Sequence, residues 1–132
     1  MPSIYRSGNA LVLLTRGEGF GLPCLEAQSS GVPLIMTDYS TGPELTGEQG
    51  ILIPVLKDGY GRLVQEIGPN GVENVIPDDV ALSKIFEEVY ADWKNGGAKL
   101  KERKELSRKF AETYDWDLRV SDWIKLFEKY SD

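Results

Sequence analysis

Two short, uninterrupted apolar runs flank a stretch with helical character, and this order constrains the fold more than any other feature of the chain. The first run covers residues 10–15 (ALVLLT) and the second covers residues 34–37 (LIMT). Between them, Pro23 stands where a helix would begin and Gly31 where it would end. Apolar runs of this length are typical of strands buried on both faces, and a strand–helix–strand order forms a parallel sheet. The fold class is therefore α/β.

A third apolar run, residues 51–53 (ILI), predicts another parallel strand. Three such strands form half of a doubly wound, partial Rossmann-like sheet. In the usual strand order 3-2-1-4-5-6 they would be the fourth, fifth and sixth. Residues 10–15 would then lack one neighbour and leave a long apolar edge, which is a template for strand pairing. We therefore expect a homo-oligomer, formed through this edge or through the surface that a missing domain would cover.

The chain changes character after the third run. Residues 57–77 are rich in Gly and Pro without a clear period, which predicts a long loop insertion with room for one short element. Residues 78–132 are expected to form a helical tail. We interpret residues 1–132 as one partial domain in which residues 10–55 form the βαβ core.

Helix starts in the tail are marked by acidic residues, with Asp78 or Asp79 before the first helix and Asp115 or Asp117 before the last. A charged helix is expected between them, from about residue 99 to 114. Apolar residues recur at helical spacing, and these stripes predict core positions rather than carbohydrate platforms for Trp93, Trp116 and Trp123. The stripes comprise Leu82, Ile85, Phe86, Val89, Tyr90 and Trp93 in the first helix, and Val120, Trp123, Ile124, Phe127 and Tyr130 in the last.

Composition argues against several kinds of site. The net charge of −6 argues against nucleic-acid partners and anionic membranes. The absence of His and the single cysteine, Cys24, argue against a metal site, an internal disulfide and any Ser–His or Cys–His hydrolytic arrangement. No apolar run approaches the roughly 18 residues of a membrane span, and the first residues lack a signal-peptide pattern. These features predict a cytoplasmic protein.

The turn between the first strand and its helix has the chemistry of an anion site. Open α/β sheets bind ligands at the carboxyl ends of their strands. Gly19 and Gly21 allow backbone N–H groups to approach a ligand there. The helix beginning near Pro23 directs its free N–H groups and positive dipole end to the same point, which suits a phosphate.

Two carboxylates bracket this turn. Glu18 lies at the end of the strand and Glu26 one turn into the helix. A carboxylate has about four acceptor positions and suits vicinal hydroxyls such as those of a ribose or hexose. An anion site between two hydroxyl acceptors is typical of a nucleotide-sugar site.

The string E-G-F-G-L-P-C-L-E-A at residues 18–27, with G-V-P-L-I at 31–35 and T-G-P-E-L at 41–45, resembles the C-terminal domain of family 4 glycosyltransferases with the GT-B fold. The resemblance is close over residues 10–55 and looser over the helical tail. It implies that Glu18 holds donor-sugar hydroxyls and is the residue nearest to a catalytic role. It further implies that the N–H groups of Phe20, Gly21 and Leu22 face the sugar and diphosphate, and that Glu26 accepts from the ribose.

The same resemblance implies a retaining glycosyltransferase without a metal or other cofactor. Its donor would be a UDP-, GDP- or ADP-sugar and its acceptor a sugar, glycan or lipid. A full enzyme of this type has two Rossmann-like domains, so the acceptor domain and the first part of the donor domain are expected to be absent from this chain. We therefore expect the parent protein to be the enzyme and this piece alone to be inactive.

Other interpretations remain open at this stage. The alternatives are a non-catalytic nucleotide-sugar-binding module, a sugar phosphorylase fragment of the same fold, and an oligomerising interaction domain with the same ancestry. Among single residues, Phe20 is either a packing residue or a sugar-facing one, Cys24 is interpreted as a small helix residue, and Glu44 is either a loop cap or a sugar contact. Arg16 lies near the turn, but it does not occupy the position of the family's diphosphate-binding basic residues.

Overall fold

The computed structural model describes residues 2–68 and 71–131. Its strands are β1 (Leu11–Leu13), β2 (Leu34–Thr37), β3 (Ile51–Ile53), β4 (Gln65–Ile67) and β5 (Glu73–Val75). Its helices are α1 (Pro2–Arg6), α2 (Leu22–Ser29), α3 (Gly42–Thr46), α4 (Asp79–Lys94), α5 (Ala98–Glu112) and α6 (Trp116–Tyr130).

The central sheet is parallel, with the order β1-β2-β3. Leu11 pairs with Leu34 in the first ladder, and Ile35 pairs with Ile51 in the second. Every residue of β2 is buried, as expected of a central parallel strand. The predicted α/β class, the parallel order and the bounds of β2 and β3 are confirmed. The first strand is shorter than residues 10–15 because regular pairing ends at Leu13.

The core lies between the sheet and α2. Cys24 and Ala27 of α2 pack against Leu34 and Met36 of β2, and Leu45 of α3 closes the cluster. Helix α5 packs across α2. This arrangement fixes the first turn of α2 at the carboxyl edge of the sheet.

The insertion differs from the predicted loop. Strands β4 and β5 form an antiparallel hairpin, and further bridges join Val55 to Pro77 and Lys57 to Leu63. The side chains of β4 are all exposed, so its sequence lacks the apolar alternation by which strands are identified. Backbone pairing organises this segment, and Val75 of β5 supplies its fully buried side chain. Pro69 and Asn70 of the insertion lie outside the described residues.

The tail forms the expected helices, with α4 capped by Asp78, which accepts a hydrogen bond of 2.9 Å from the Ala81 N–H. Helix α6 is capped by Asp115 through the Asp117 N–H. Helix α5 begins and ends slightly earlier than predicted.

The predicted burial is wrong for the three tryptophans and for the α6 stripe, whereas Leu82, Ile85 and Val89 of the α4 stripe are partly buried. Trp93 is 54% exposed, Trp116 72% and Trp123 51%. Neither α4 nor α6 contains a fully buried residue. Helical periodicity identified an apolar face in each helix, but the described residues supply no surface that covers the α6 stripe. Within these same residues, no helix combines the length and apolar character required to cross a bilayer.

Candidate functional site

The carboxyl ends of β1 and β2 bring two loops together. Because the strands are parallel and adjacent, residues 14–21 and 38–41 emerge at the same sheet edge. The Ser40 hydroxyl donates to the Glu18 backbone oxygen at 3.4 Å and joins the two loops. Ser40 has a positive φ of 55°, which is uncommon for a residue with a side chain. Glu18 therefore lies at the edge where α/β sheets bind ligands, with its side chain partly exposed.

The start of α2 is shaped by Gly21. Its φ of 78° is in the left-handed region, and a Cβ atom there would lie 2.8 Å from Leu45 Cδ1. Glycine therefore meets both a conformational and a steric requirement at this position. Pro23 follows in the first turn of the helix. Among the hydrogen bonds recorded for residues 2–68 and 71–131, none is donated by the N–H groups of Phe20, Gly21 or Leu22.

Glu26 lies one turn into α2 with an exposed side chain. Its Oε2 atom accepts a hydrogen bond of 2.7 Å from the Tyr5 hydroxyl of α1. This bond is the main cause that raises the pKa of the Tyr5 phenol, with burial and the charge of Glu26 acting in the same direction. Tyr5 is therefore a protonated donor at neutral pH.

Phe20 has a packing role as well as a candidate backbone role. Its ring is 50% exposed and lies edge-on to Tyr114, with 6.3 Å between the ring centroids. Tyr114 follows α5 and also contacts Phe110. The end of α5 therefore borders the glycine turn and holds the Phe20 side chain to one side of it.

Cys24 belongs to the core, and its interpretation as a small helix residue is confirmed. The residue is fully buried, and its Sγ lies 3.8 Å from Met36 Sδ. Burial, followed by the nearby Glu18 carboxylate, raises the pKa of the thiol to about 11. A thiol of this kind is inert as a nucleophile at neutral pH.

The remaining charged candidates lie around this edge. Arg16, in the loop before Glu18, forms an ion pair with Glu66 of β4 and so connects the hairpin to the loop. Glu44 is exposed in the first turn of α3. Within the part of the chain that the structure describes, no group of three or more His, Cys, Asp or Glu side chains could hold a metal ion.

Three neighbours of the site were not predicted from the sequence: Tyr5, Ser40 and Tyr114. Tyr5 lies in a helix of five residues, which is too short for a hydrophobic period to identify it. Ser40 and Tyr114 contact Glu18 and Phe20 from segments that are distant in sequence. The triplet Asp38-Tyr39-Ser40 after a buried strand was the available hint for a functional loop.

A parallel sheet with a glycine turn and a helix start at its carboxyl edge defines a Rossmann-like α/β domain. Residues 1–67 match the family model described as "Glycosyl transferases group 1". The chain belongs to this family of glycosyl transferases.

Individual proteins are similar over shorter segments. The O-antigen chain mannosyltransferase B of Escherichia coli is 38% identical over 52 residues, which are 39% of this chain and 14% of that protein. The lipopolysaccharide core biosynthesis mannosyltransferase LpsB of Rhizobium meliloti (strain 1021) is 44% identical over 57 residues, 40% of this chain and 16% of that protein.

A solved structure described as "Crystal structure of GtfA/B complex" matches 97% of this chain with a TM-score of 0.65 and 25% identity. The chain spans 22% of that structure's chain, so it corresponds to a minor part of each of these proteins. Together the matches confirm the resemblance to a segment of a GT-B glycosyltransferase.

Proposed function

We propose that this chain supplies the donor-binding surface of a retaining glycosyltransferase. Glu18 binds hydroxyls of the donor sugar, and Glu26 accepts from the ribose. The N–H groups of Phe20, Gly21 and Leu22 bind the diphosphate and the adjoining sugar. The observation that carries the proposal is that these three N–H groups have no acceptor among the described residues, while Glu18 lies in the loop before the helix start and Glu26 one turn after it.

The physical case rests on complementary charges. Unpaired N–H groups and the positive end of the α2 dipole favour a phosphate anion. Carboxylates favour hydroxyl donors, and each charge-assisted hydrogen bond contributes about 1.5–3 kcal/mol net. A nucleoside diphosphate sugar has both features, with a diphosphate between two sets of vicinal hydroxyls.

In the proposed reaction, the bond between the sugar's anomeric carbon and the diphosphate oxygen breaks. A bond from that carbon to the acceptor oxygen forms on the same face of the sugar. The acceptor's proton passes to the departing phosphate, so no side chain of this segment serves as the base. No metal or other cofactor is required in this scheme. The chain contributes by holding the donor and stabilising charge.

The names of the two curated relatives favour a mannosyl group as the transferred sugar. A sugar, glycan or lipid is the proposed acceptor. The proposed donor nucleotide is UDP, GDP or ADP. We propose that this segment alone is inactive, because an acceptor site requires a facing domain. We further propose a cytoplasmic location, which fits the single buried thiol. Residues 10–55 are proposed as the binding core, and residues 57–77 as an insertion into it.

Calorimetric titration tests the proposal. UDP, GDP, ADP and their sugars are titrated into the wild-type chain, Glu26→Ala and Glu128→Ala. Glu128 is an exposed carboxylate on α6, remote in sequence from the site. We expect one nucleotide series to bind the wild type and Glu128→Ala equally, and to bind Glu26→Ala about ten- to hundredfold more weakly. No binding to the wild type at millimolar ligand contradicts the proposal.

A second candidate function is an oligomerising interaction domain. The observation that favours it is the exposed outer edge of β1, where Val12 is 37% and Leu14 47% exposed. Unpaired edges of this kind associate with other strands. Self-association without any nucleotide binding would favour this function over donor binding.

A further inference from the structure

A hydrogen bond joins α1 to the proposed ribose-binding carboxylate. The Tyr5 hydroxyl donates to Glu26 Oε2 at 2.7 Å across 21 residues of sequence. Helices α1 and α2 contact each other along this line. The length is that of a strong hydrogen bond to an ionised acceptor.

Tyr5 is a fixed donor, whereas Glu26 alone would be mobile. The Tyr5 ring is partly buried and packs against the hydrophobic core cluster. The Glu26 side chain is exposed on the surface of α2. A free glutamate has several rotamers, and fixing them on binding costs conformational entropy. The hydrogen bond to Tyr5 restricts these rotamers before any ligand arrives.

The donor leaves the acceptor capacity of Glu26 available. A carboxylate has about four lone-pair positions, and Tyr5 occupies one of them on Oε2. Unlike Lys or Arg, a phenol does not neutralise the carboxylate. None of the ion pairs between described side chains involves Glu26. Among the described residues Oε1 has no hydrogen-bond partner, so it can accept from a diol.

We propose that Tyr5 is a positioning residue whose hydroxyl holds Glu26 in the orientation that receives the vicinal hydroxyls of the nucleotide ribose. This inference rests on the proposed donor-binding function. It predicts that Tyr5 affects nucleotide affinity only when the ligand carries ribose hydroxyls and only when Glu26 is present. The hydrogen bond to Glu26 also raises the pKa of the Tyr5 phenol, so the hydroxyl retains the proton that it donates.

The test uses Tyr5→Phe, which keeps the packed ring and removes the hydroxyl. Tyr60→Phe is the matched control, because the Tyr60 side chain is 88% exposed. Each chain is titrated by calorimetry with UDP, GDP and ADP and with their 2′,3′-dideoxy analogues. We expect Tyr5→Phe to raise the Kd of the ribonucleotide about two- to tenfold and to leave that of the dideoxy analogue unchanged. Tyr60→Phe should match the wild type for both ligands.

A cycle with Glu26→Ala separates positioning from a general effect on the fold. In the Glu26→Ala background, Tyr5→Phe should have no further effect on the Kd. The inference would be overturned if Tyr5→Phe weakened binding of the ribonucleotide and the dideoxy analogue equally. It would also be overturned if Tyr5→Phe had an undiminished effect on the Kd in the Glu26→Ala background. If Glu26→Ala weakens nucleotide binding and Tyr5→Phe does not, the role of Tyr5 is refuted while the donor site stands. Absence of wild-type binding would refute the donor site itself, and the role of Tyr5 with it.

Discussion

The side-chain amide of Gln49 donates a 2.9 Å hydrogen bond to the side-chain oxygen of Gln28 inside the protein. Gln28 in turn donates to the backbone oxygen of Leu45, also at 2.9 Å. Both glutamines are buried, and Gln28 is fully so. Because Gln28 lies two residues after Glu26 on α2, this chain of hydrogen bonds fixes the helix that carries the proposed site against α3.

Replacing Gln28 should therefore destabilise the fold. Gln28→Met keeps most of the volume but leaves the Gln49 amide and the Leu45 carbonyl without their partner. We expect the free energy of unfolding to fall by about 1–3 kcal/mol, the usual cost of an unsatisfied buried polar group. Urea denaturation measures the change, and Gln65→Met, at an exposed position, is the control. Equal stability of the two variants would contradict this assignment.

Gly21 should tolerate alanine less well than Gly61. Both have a positive φ, 78° and 80°, so each substitution places a side chain in the left-handed region at a cost of roughly 1–2 kcal/mol. At Gly21 the new Cβ also meets the Cδ1 atom of Leu45, which would have to shift within the buried core, whereas Gly61 faces open space. Overpacking of this kind adds about 1–3 kcal/mol. Denaturation of Gly21→Ala and Gly61→Ala measures the difference, and equal losses would show that the contact is relieved.

The sequence predicted the parallel sheet well because its strands are short apolar runs, and the central strand β2 is buried along its whole length. Every residue of 34–37 and 51–53 except Thr37 is apolar, and no other period competes with that pattern. The position of α2 followed from Pro23 and Gly31. The roles of Glu18, Phe20, Gly21, Leu22 and Glu26 follow from the local string and remain predictions.

Tertiary contacts explain what the sequence did not predict. Tyr5 belongs to a helix of one turn that is stabilised by packing on α2, and no local pattern encodes that contact. The β4–β5 hairpin buries Val75 of β5 but no side chain of β4, so β4 lacks an alternating pattern. The stripe that contains Trp123 identifies an apolar face of α6, but periodicity does not specify what covers such a face.

The cap of α4 provides a third prediction, since the sequence left Asp78 and Asp79 as alternatives. Asp78 accepts from the Ala81 N–H, whereas Asp79 lies in the first turn. Asp78→Ala should lower the free energy of unfolding by about 0.5–2 kcal/mol through loss of the cap. Asp79→Ala should lose only the interaction with the helix dipole, about 0.3–1 kcal/mol. Thermal or urea denaturation measures both, and a larger loss for Asp79→Ala would reverse the assignment.

Cys24 should make stability depend on alkaline pH. Its thiol pKa is raised from 9.0 to about 11, first by burial and then by Glu18, so the folded state binds this proton more tightly than the unfolded state. The associated stability is present below pH 9.0 and is lost as the pH rises through about 11. Urea midpoints of wild type and Cys24→Ala across this range should converge on the alkaline side. Parallel pH profiles for the two proteins would show that the thiol does not contribute.

The outer edge of β1 leads to the last prediction, which concerns self-association. In the described sheet β1 pairs with β2 alone, and Val12 and Leu14 are exposed beside its free backbone groups. A lysine on an edge strand opposes pairing because its charge would have to be desolvated between strands. We expect light scattering at tens of micromolar to give a mass above the 14.7 kDa monomer for the wild type and the monomer mass for Val12→Lys.

Val72→Lys, at an exposed position near the β4–β5 turn, should behave as the wild type. A monomeric wild type would count against pairing through this edge. If Val12→Lys and Val72→Lys dissociated the oligomer equally, the association would be assigned to general apolar exposure instead.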